Sequence, residues 1–169
     1  MIRFNSDEFK AWHEVGHATV CLHLGGDLER IEFLNQDTQG FAVSRGCYVI
    51  TETEKSVACG GFAAEFYLLS NGYVDGVDLK TQKGIQEVSN KVFSNAWRDV
   101  QEFIGRSVTE DNDFTKEEQE SFMNYAINNV SPIFNLYFEK MKFVVSELLY
   151  ERKISGKRVR ELLQIGATK

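Results

Sequence analysis

The strongest constraint in this sequence is a pair of histidines, His13 and His17, that stand four residues apart and enclose Glu14. Residues four apart on an α-helix are separated by about 40° around the axis and by roughly 6 Å along it, so both imidazoles can bind one tetrahedral ion. Apolar residues flank the run on both sides. Imidazoles and a carboxylate buried there without a partner would be costly. The run therefore predicts a helix that carries a metal site.

Glu14 follows His13 directly, and this position suits a catalytic base. It is displaced by about 100° from His13, which places its carboxylate beside the open position of the metal. Zinc lowers the pKa of water from about 15.7 toward 7 and polarises a scissile carbonyl, while the glutamate takes up the proton. We therefore predict a zinc-dependent peptidase with His13 and His17 as ligands and Glu14 as base.

A catalytic zinc site usually has three protein ligands, so one ligand remains to be found. On the residues alone, the candidates are His23, Glu65 and Asp78. His23 stands at the metzincin spacing, but that pattern needs a glycine where this chain has Val20. A helix that continues through Val20 turns His23 about 240° away from His17. Glu65 is a ligand from a second helix, a carboxylate that orients a ligating histidine, or an exposed helix residue.

Length and charge limit the class of protein. With 169 residues, 43% of them hydrophobic, we expect a single domain over residues 1–169. The net charge of −6 argues against nucleic acid or anionic lipid as the main partner. We expect no membrane span and no signal peptide, because no window approaches the roughly 18 uninterrupted apolar residues of a span. The three cysteines lack paired spacing, so neither a disulfide framework nor a thiolate zinc site is expected, and the cytoplasm is the predicted compartment.

The pattern of elements predicts a mainly α-helical domain with one small antiparallel β-sheet or hairpin. Partial alternation with glycine punctuation predicts strands over Arg30 to Leu34 and Gly40 to Ile50, and an extended substrate could add to an edge of that sheet. Capping patterns, the helical period and the only proline predict helices over the ranges Asn5 to Leu24, Thr51 to about Asn71, Asp78 to about Ile104, Thr115 to about Val130, Pro132 to Tyr150 and Ser155 to Leu163. The acidic stretch Thr109 to Asp113 is predicted to be a surface loop.

Small residues fill the middle turn of the predicted helix that begins at Thr51. Each of Gly60 and Gly61 costs up to about 1 kcal/mol of helix propensity, so a compensating gain is needed. Close packing against the metal-binding helix would supply it. We therefore predict that these two helices touch.

Three segments occur in the order Trp12-His13-Glu14-Val15-Gly16-His17-Ala18, Gly60-Gly61-Phe62-Ala63-Ala64-Glu65 and Gly76-Val77-Asp78-Leu79. They resemble the His-Glu-Ala-Gly-His-Ala signature, the Gly-Gly-x-x-Ala-Glu helix and the Asn-Asp-Leu segment of the FtsH-type ATP-dependent zinc proteases. The closing stretch, Tyr137 to Leu163, is similar to the C-terminal helices of that family. The resemblance implies the mostly helical FtsH-type peptidase domain and a zinc cofactor. It also implies that Asp78 completes the zinc site, with Asp75 as a less favoured substitute, and that Glu65 supports the site without binding metal.

The same resemblance bears on substrate and partners. The family's protease follows an ATPase module and a membrane anchor, whereas this chain has neither a Gly-x-x-x-x-Gly-Lys-Ser/Thr loop nor an apolar span. We therefore expect ATP-independent cleavage of peptides or unfolded polypeptides, or a separate unfoldase that delivers the substrate. The family forms hexamers, which implies a homo-oligomer. The alternative is a catalytically silent metal-binding regulatory or protein-interaction module, and Glu14 favours the enzyme because a silent module needs no base.

Overall fold

The computed structural model of the chain describes residues 1–33, 42–109 and 114–166. Helices dominate and a small antiparallel sheet accompanies them, which confirms the predicted fold class. The elements in chain order are β1 (Ile2–Arg3), α1 (Asp7–His23), β2 (Asp27–Phe33), β3 (Ala42–Tyr48), α2 (Thr51–Ala58), α3 (Gly60–Ser70), β4 (Val74–Asp75), α4 (Gln82–Asn95), α5 (Trp97–Ile104), α6 (Lys116–Tyr125), a π-helical turn (Ala126–Val130), a 3-10 turn (Ser131–Ile133), α7 (Phe134–Glu151), β5 (Lys153–Ser155) and α8 (Gly156–Leu163). Within the described ranges, no helix is both long enough and apolar enough to cross a lipid bilayer.

The antiparallel sheet has the strand order β3-β2-β5, so β3 lies at an edge. Ile31 in the central strand is fully buried and stands opposite Ile154 of β5. The predicted strands correspond to β2 and β3, although Leu34 and Gly40 lie outside the described residues. Two features were not predicted: β5, and a separate parallel pairing of β1 with β4.

Helix α1 lies at the centre of the core. Phe9, Val15 and Val20 are fully buried on it, and α3, α7 and the sheet pack around it. The contact between α1 and α3 is close, because a Cβ atom added at Gly16 would overlap the carbonyl oxygen of Gly60. The predicted contact between the glycine-rich helix and the metal-binding helix is thus confirmed.

Helix α1 begins later than predicted. Ser6 rather than Asn5 is its N-cap, since the Ser6 side chain accepts a hydrogen bond from the amide of Phe9. Asn5 has a left-handed backbone, with φ at 60°. The error is small because both residue types cap helices well.

Two of the predicted helices are each broken into a pair. The range predicted from Thr51 is divided at Cys59 into α2 and α3, and the predicted Thr51 cap is wrong because Ile50 occupies the N-cap. The range predicted from Asp78 begins only at Gln82 and is divided at Ala96 into α4 and α5.

The C-terminal helices follow the predicted caps. Thr115 and Glu118 form a capping box at the start of α6, and Ser155 caps α8. Pro132 lies in the 3-10 turn that precedes α7, as its position at a helix start predicted. Residues 110–113 of the predicted acidic loop lie outside the described residues.

Cys21 of α1 and Cys47 of β3 form a disulfide bond, with Cα atoms 6.2 Å apart. The prediction that the cysteines form no disulfide is therefore wrong. Spacing along the sequence could not reveal the pair, because it depends on the sheet edge folding back against α1. The cysteines therefore no longer support the predicted cytoplasmic location, because disulfides persist mainly in oxidising compartments.

Candidate metal centre

His13 and His17 project from the same side of α1, as their spacing predicted. Their Nε2 atoms are 3.2 Å apart, and the two rings meet edge to face with centroids 4.9 Å apart. Both side chains are largely shielded from solvent, with 12% and 11% of their surface exposed. Two imidazole nitrogens so close together can share a proton or bind one metal ion.

Asp99 of α5 supplies the third group. Its Oδ2 atom lies 3.2 Å from Nε2 of His13 and 3.3 Å from Nε2 of His17. Among the described residues, these three form the group of potential metal ligands, with ligand atoms all within 4.8 Å of one another. Within the described part of the chain, Oδ2 is buried without a hydrogen-bond partner, and it lies beside the two imidazole nitrogens.

The outer nitrogens of both imidazoles are already engaged. Nδ1 of His13 lies 3.0 Å from Oε1 of Glu65, and Nδ1 of His17 lies 2.7 Å from the carbonyl oxygen of Val57. A carbonyl oxygen can only accept, so Nδ1 of His17 donates. In a neutral ring, Nε2 then carries a lone pair that points at Asp99. This is the arrangement of a metal-binding histidine, in which a hydrogen bond to the ring nitrogen away from the metal fixes the tautomer.

The neighbouring groups of this site also determine the pKa values of its side chains. Burial alone would lower the pKa of His13, but the carboxylates of Asp99 and Glu65 outweigh burial and hold that pKa well above its ordinary value. The pKa of His17 is also raised, because Asp99 outweighs burial and the repulsion from His13. Burial opposes ionisation of Asp99 too, yet the two imidazoles hold its pKa far below the usual range. The centre thus attracts positive charge, in the form of protons or a metal ion.

The donor set fits a divalent metal ion. Two imidazole nitrogens and one carboxylate oxygen are the ligands of a catalytic zinc site that keeps one position open. The unsatisfied Oδ2 of Asp99 is the atom that such an ion would neutralise. His13, His17 and Asp99 could therefore hold the ion, with Glu65 and Val57 as their outer partners.

Glu14 borders a cavity of about 630 Å³ next to this centre. His17 and Asp99 contribute to the same lining, together with Cys47 and Val49 from the end of β3 and the segment after it. A substrate in this cavity would lie beside Glu14 and beside two of the candidate ligands, His17 and Asp99. The arrangement suits a base acting on a molecule held beside the metal centre.

The other residues considered as ligands lie elsewhere. Asp78 is exposed, and its carboxylate accepts hydrogen bonds from the amides of Lys80 and Thr81 and from the Thr81 hydroxyl, just before α4. His23 contacts the Tyr137 hydroxyl at the end of α1. Asp75 belongs to β4, where it pairs with Arg3. Of the predicted site residues, the structure brings together His13, Glu14, His17 and Glu65, and it does not bring Asp78 to them.

Sequence reasoning missed Asp99, although one signal was present. Asp99 lies three residues after Ala96 and four before Phe103, both of which are buried. It therefore occupies the apolar face of an amphipathic helix, where an acidic residue needs a partner. The break at Ala96 that turns this face toward α1 has no evident mark in the sequence.

Comparison with known protein families gives a match over part of the chain. Residues 10–64 match the family model described as Peptidase M50B-like, which is about a third of the chain and includes the run from His13 to His17. A search of curated proteins found no match. The matched family is a metallopeptidase family distinct from the FtsH-type proteases. The match therefore relates the chain to metallopeptidases in general, and it indicates a protease that uses a metal ion.

Proposed function

We propose that the chain is a zinc-dependent endopeptidase that cleaves peptides or unfolded polypeptides, with His13, His17 and Asp99 as metal ligands. The observation that carries this proposal is the convergence of two Nε2 atoms and one buried carboxylate oxygen on a single point. The outer hydrogen bonds leave the lone pairs of neutral imidazoles directed at that point. Asp99 thus takes the place that the sequence resemblance gave to Asp78.

Zinc is the metal that this donor set favours. Imidazole nitrogens suit zinc, and a carboxylate completes a common three-ligand zinc set, whereas magnesium and calcium prefer oxygen ligands alone. A zinc ion bound there would lower the pKa of water and polarise a substrate carbonyl. The chain's own residues must supply the remaining steps.

Glu14 is the proposed base. Its carboxylate borders the cavity beside His17 and Asp99, where it can take a proton from the attacking water and return it to the leaving amine. Glu65 is the proposed positioning residue for His13, because its buried carboxylate lies behind Nδ1 and fixes the orientation of the ring. The carbonyl of Val57 does the same for His17.

The position of β3 supports an extended substrate. β3 is the edge strand of its sheet, and Cys47 near its end borders the cavity. A peptide that added to this edge by backbone hydrogen bonds would lead into the cavity. Tyr48 and Ile50, which are 70% and 67% exposed, offer apolar surface at the same place. Folded proteins seldom present such a strand, which favours peptides and unfolded chains.

The FtsH-type relation remains part of the proposal, supported by two of the three motifs. Gly60 packs against the backbone of His17, and a side chain at Gly61 would overlap the ring of His13. Glu65, at the end of the same motif, contacts His13. The third motif, at Asp78, contributes no group to the candidate centre.

The decisive experiment compares the wild type with Glu14→Gln. We expect purified, zinc-supplemented protein to bind one zinc per chain and to cleave a quenched peptide or casein. Glu14→Gln should keep the zinc and lose cleavage, whereas Glu8→Gln, the same change nearer the start of α1, should keep both. Cleavage that survives Glu14→Gln would refute the proposed base. Bound zinc without any cleavage by the wild type would instead favour a silent metal-binding module, and failure to bind zinc would refute the metal centre.

A further inference from the structure

Helix α7 exposes a row of large apolar side chains. Leu136, Phe143 and Tyr150 are 65%, 63% and 84% exposed. They are spaced seven residues apart, so they form one stripe along a helix about 27 Å long. The opposite face of α7 is buried against the core, through residues such as Phe138, Met141 and Leu148. The exposed side chains of the stripe therefore do not contribute to the core of the chain.

The three residues of the stripe are spaced symmetrically about Phe143. Leu136 stands seven residues before Phe143, and Tyr150 stands seven residues after it. If two copies of α7 lie antiparallel with a two-fold axis at Phe143, each Phe143 meets its counterpart. Each Leu136 then meets Tyr150 of the second copy. A surface of this kind is self-complementary, as two-fold interfaces must be.

The charges beside the stripe support the same arrangement. Lys140 and Glu147 lie on one flank, at about 60° and 40° around the helix from Phe143. Antiparallel pairing places Lys140 of each copy beside Glu147 of the other, within about 1.5 Å along the axis. Among the described residues of its own chain, Lys140 has a ring contact with Tyr137 and no ion-pair partner. Glu147 is held in place by Arg158, which lies 2.9 Å away, and a carboxylate can accept from two cations.

We propose that two copies of this chain associate through α7 in an antiparallel, two-fold symmetric pair centred on Phe143. The three exposed side chains offer roughly 400 Å² per copy, about half of what a standard interface buries. The dimer should accordingly be weak and depend on concentration. This inference does not rest on the proposed activity, since the experiments below measure only association.

Sedimentation velocity on the full chain tests the dimer. From about 2 µM to about 200 µM, the mass should rise from the 19.3 kDa of one chain toward twice that value. Phe143→Glu should hold the mass at 19.3 kDa throughout, because it places two like charges on the axis. Ile85→Glu, the same change at an exposed apolar residue of α4, should associate as the wild type does. A wild type that stays monomeric, or equal behaviour of the two variants, would overturn the proposal.

Cysteine crosslinking tests the antiparallel arrangement. Phe143→Cys should crosslink to itself with a short thiol-reactive reagent. Leu136→Cys and Tyr150→Cys should crosslink when mixed and not alone, because two Leu136 positions are about 21 Å apart along the pair. The free thiol of Cys59 is buried and serves as the internal background. Efficient crosslinking of Leu136→Cys with itself would indicate a parallel pair and contradict the model of association.

Discussion

At the scale of single residues, we expect substitutions of Asp99 and Asp78 to differ in their effect on zinc binding. Asp99→Asn removes the buried oxygen that faces both imidazoles, so it should weaken zinc binding by more than the about 100-fold that loss of an outer partner can cause. Asp78→Asn should leave zinc affinity unchanged and slightly lower the melting temperature, because Asp78 only orders the turn before α4. Competition titration with a coloured chelator measures both. If Asp78→Asn weakened zinc binding more than Asp99→Asn did, Asp78 would be the third ligand.

The raised imidazole pKa values predict how zinc affinity depends on pH. In the metal-free chain, Asp99 and Glu65 keep His13 protonated to a higher pH than an ordinary histidine, and His17 behaves similarly. Zinc must displace these protons, so affinity should fall as pH falls, by up to about tenfold per pH unit for each proton released. Chelator titrations between about pH 8 and about pH 6 measure the slope. His23→Gln should leave the slope unchanged, and a flat wild-type profile would contradict the assignment.

The same residues show what could be predicted from sequence. The shared position of His13, Glu14 and His17 on one helix is predictable, because a spacing of four has a fixed geometry on a helix. Glu65 was assigned its supporting role through the family resemblance. Asp99 was missed because its partner lies on another helix, and only its place on an apolar face marked it as unusual.

At the scale of elements, the contact between α1 and α3 carries a prediction about Gly16. Alanine in place of a helical glycine normally gains up to about 1 kcal/mol. Here the added methyl group would overlap the Gly60 carbonyl and the Ala64 side chain, so Gly16→Ala should lose about 1 to 3 kcal/mol of unfolding free energy. Urea denaturation measures the change. Ser70→Ala, at the exposed end of α3, should stay within about 0.5 kcal/mol, and a stabilised Gly16→Ala would refute the close contact.

The helix ends explain which elements were predictable. At Thr115 and Ser155, the capping side chain bonds directly to the helix it begins, so the local sequence determines the start. The breaks at Cys59 and Ala96 have no such local cause. Each break precedes a helix with a residue against α1, namely Gly60 of α3 beside His17 and Asp99 of α5 beside both histidines. Tertiary packing of this kind overrides a helical pattern that continues through the break.

At the scale of the whole molecule, the mainly helical class was predictable, because hydrophobic periodicity reports helices wherever they occur. Contacts between distant segments were not. The pairing of β1 with β4 and the bond between Cys21 and Cys47 join segments whose proximity depends on the complete fold. Both contacts tie the chain to the two ends of α1, which carries two of the three candidate metal ligands, His13 and His17.

The disulfide gives the last prediction. It closes a loop of 26 residues between α1 and the sheet edge, and loop-closure entropy for that length corresponds to about 3.5 kcal/mol. Reduction should therefore lower the unfolding free energy by about that amount and loosen the wall of the cavity that Cys47 borders. Urea denaturation with and without reductant measures the loss, and protein purified without reductant should show one free thiol when denatured. The double variant Cys21→Ala and Cys47→Ala should not respond to reductant. Three free thiols in the unreduced chain would contradict the bond, since only Cys59 is left unpaired.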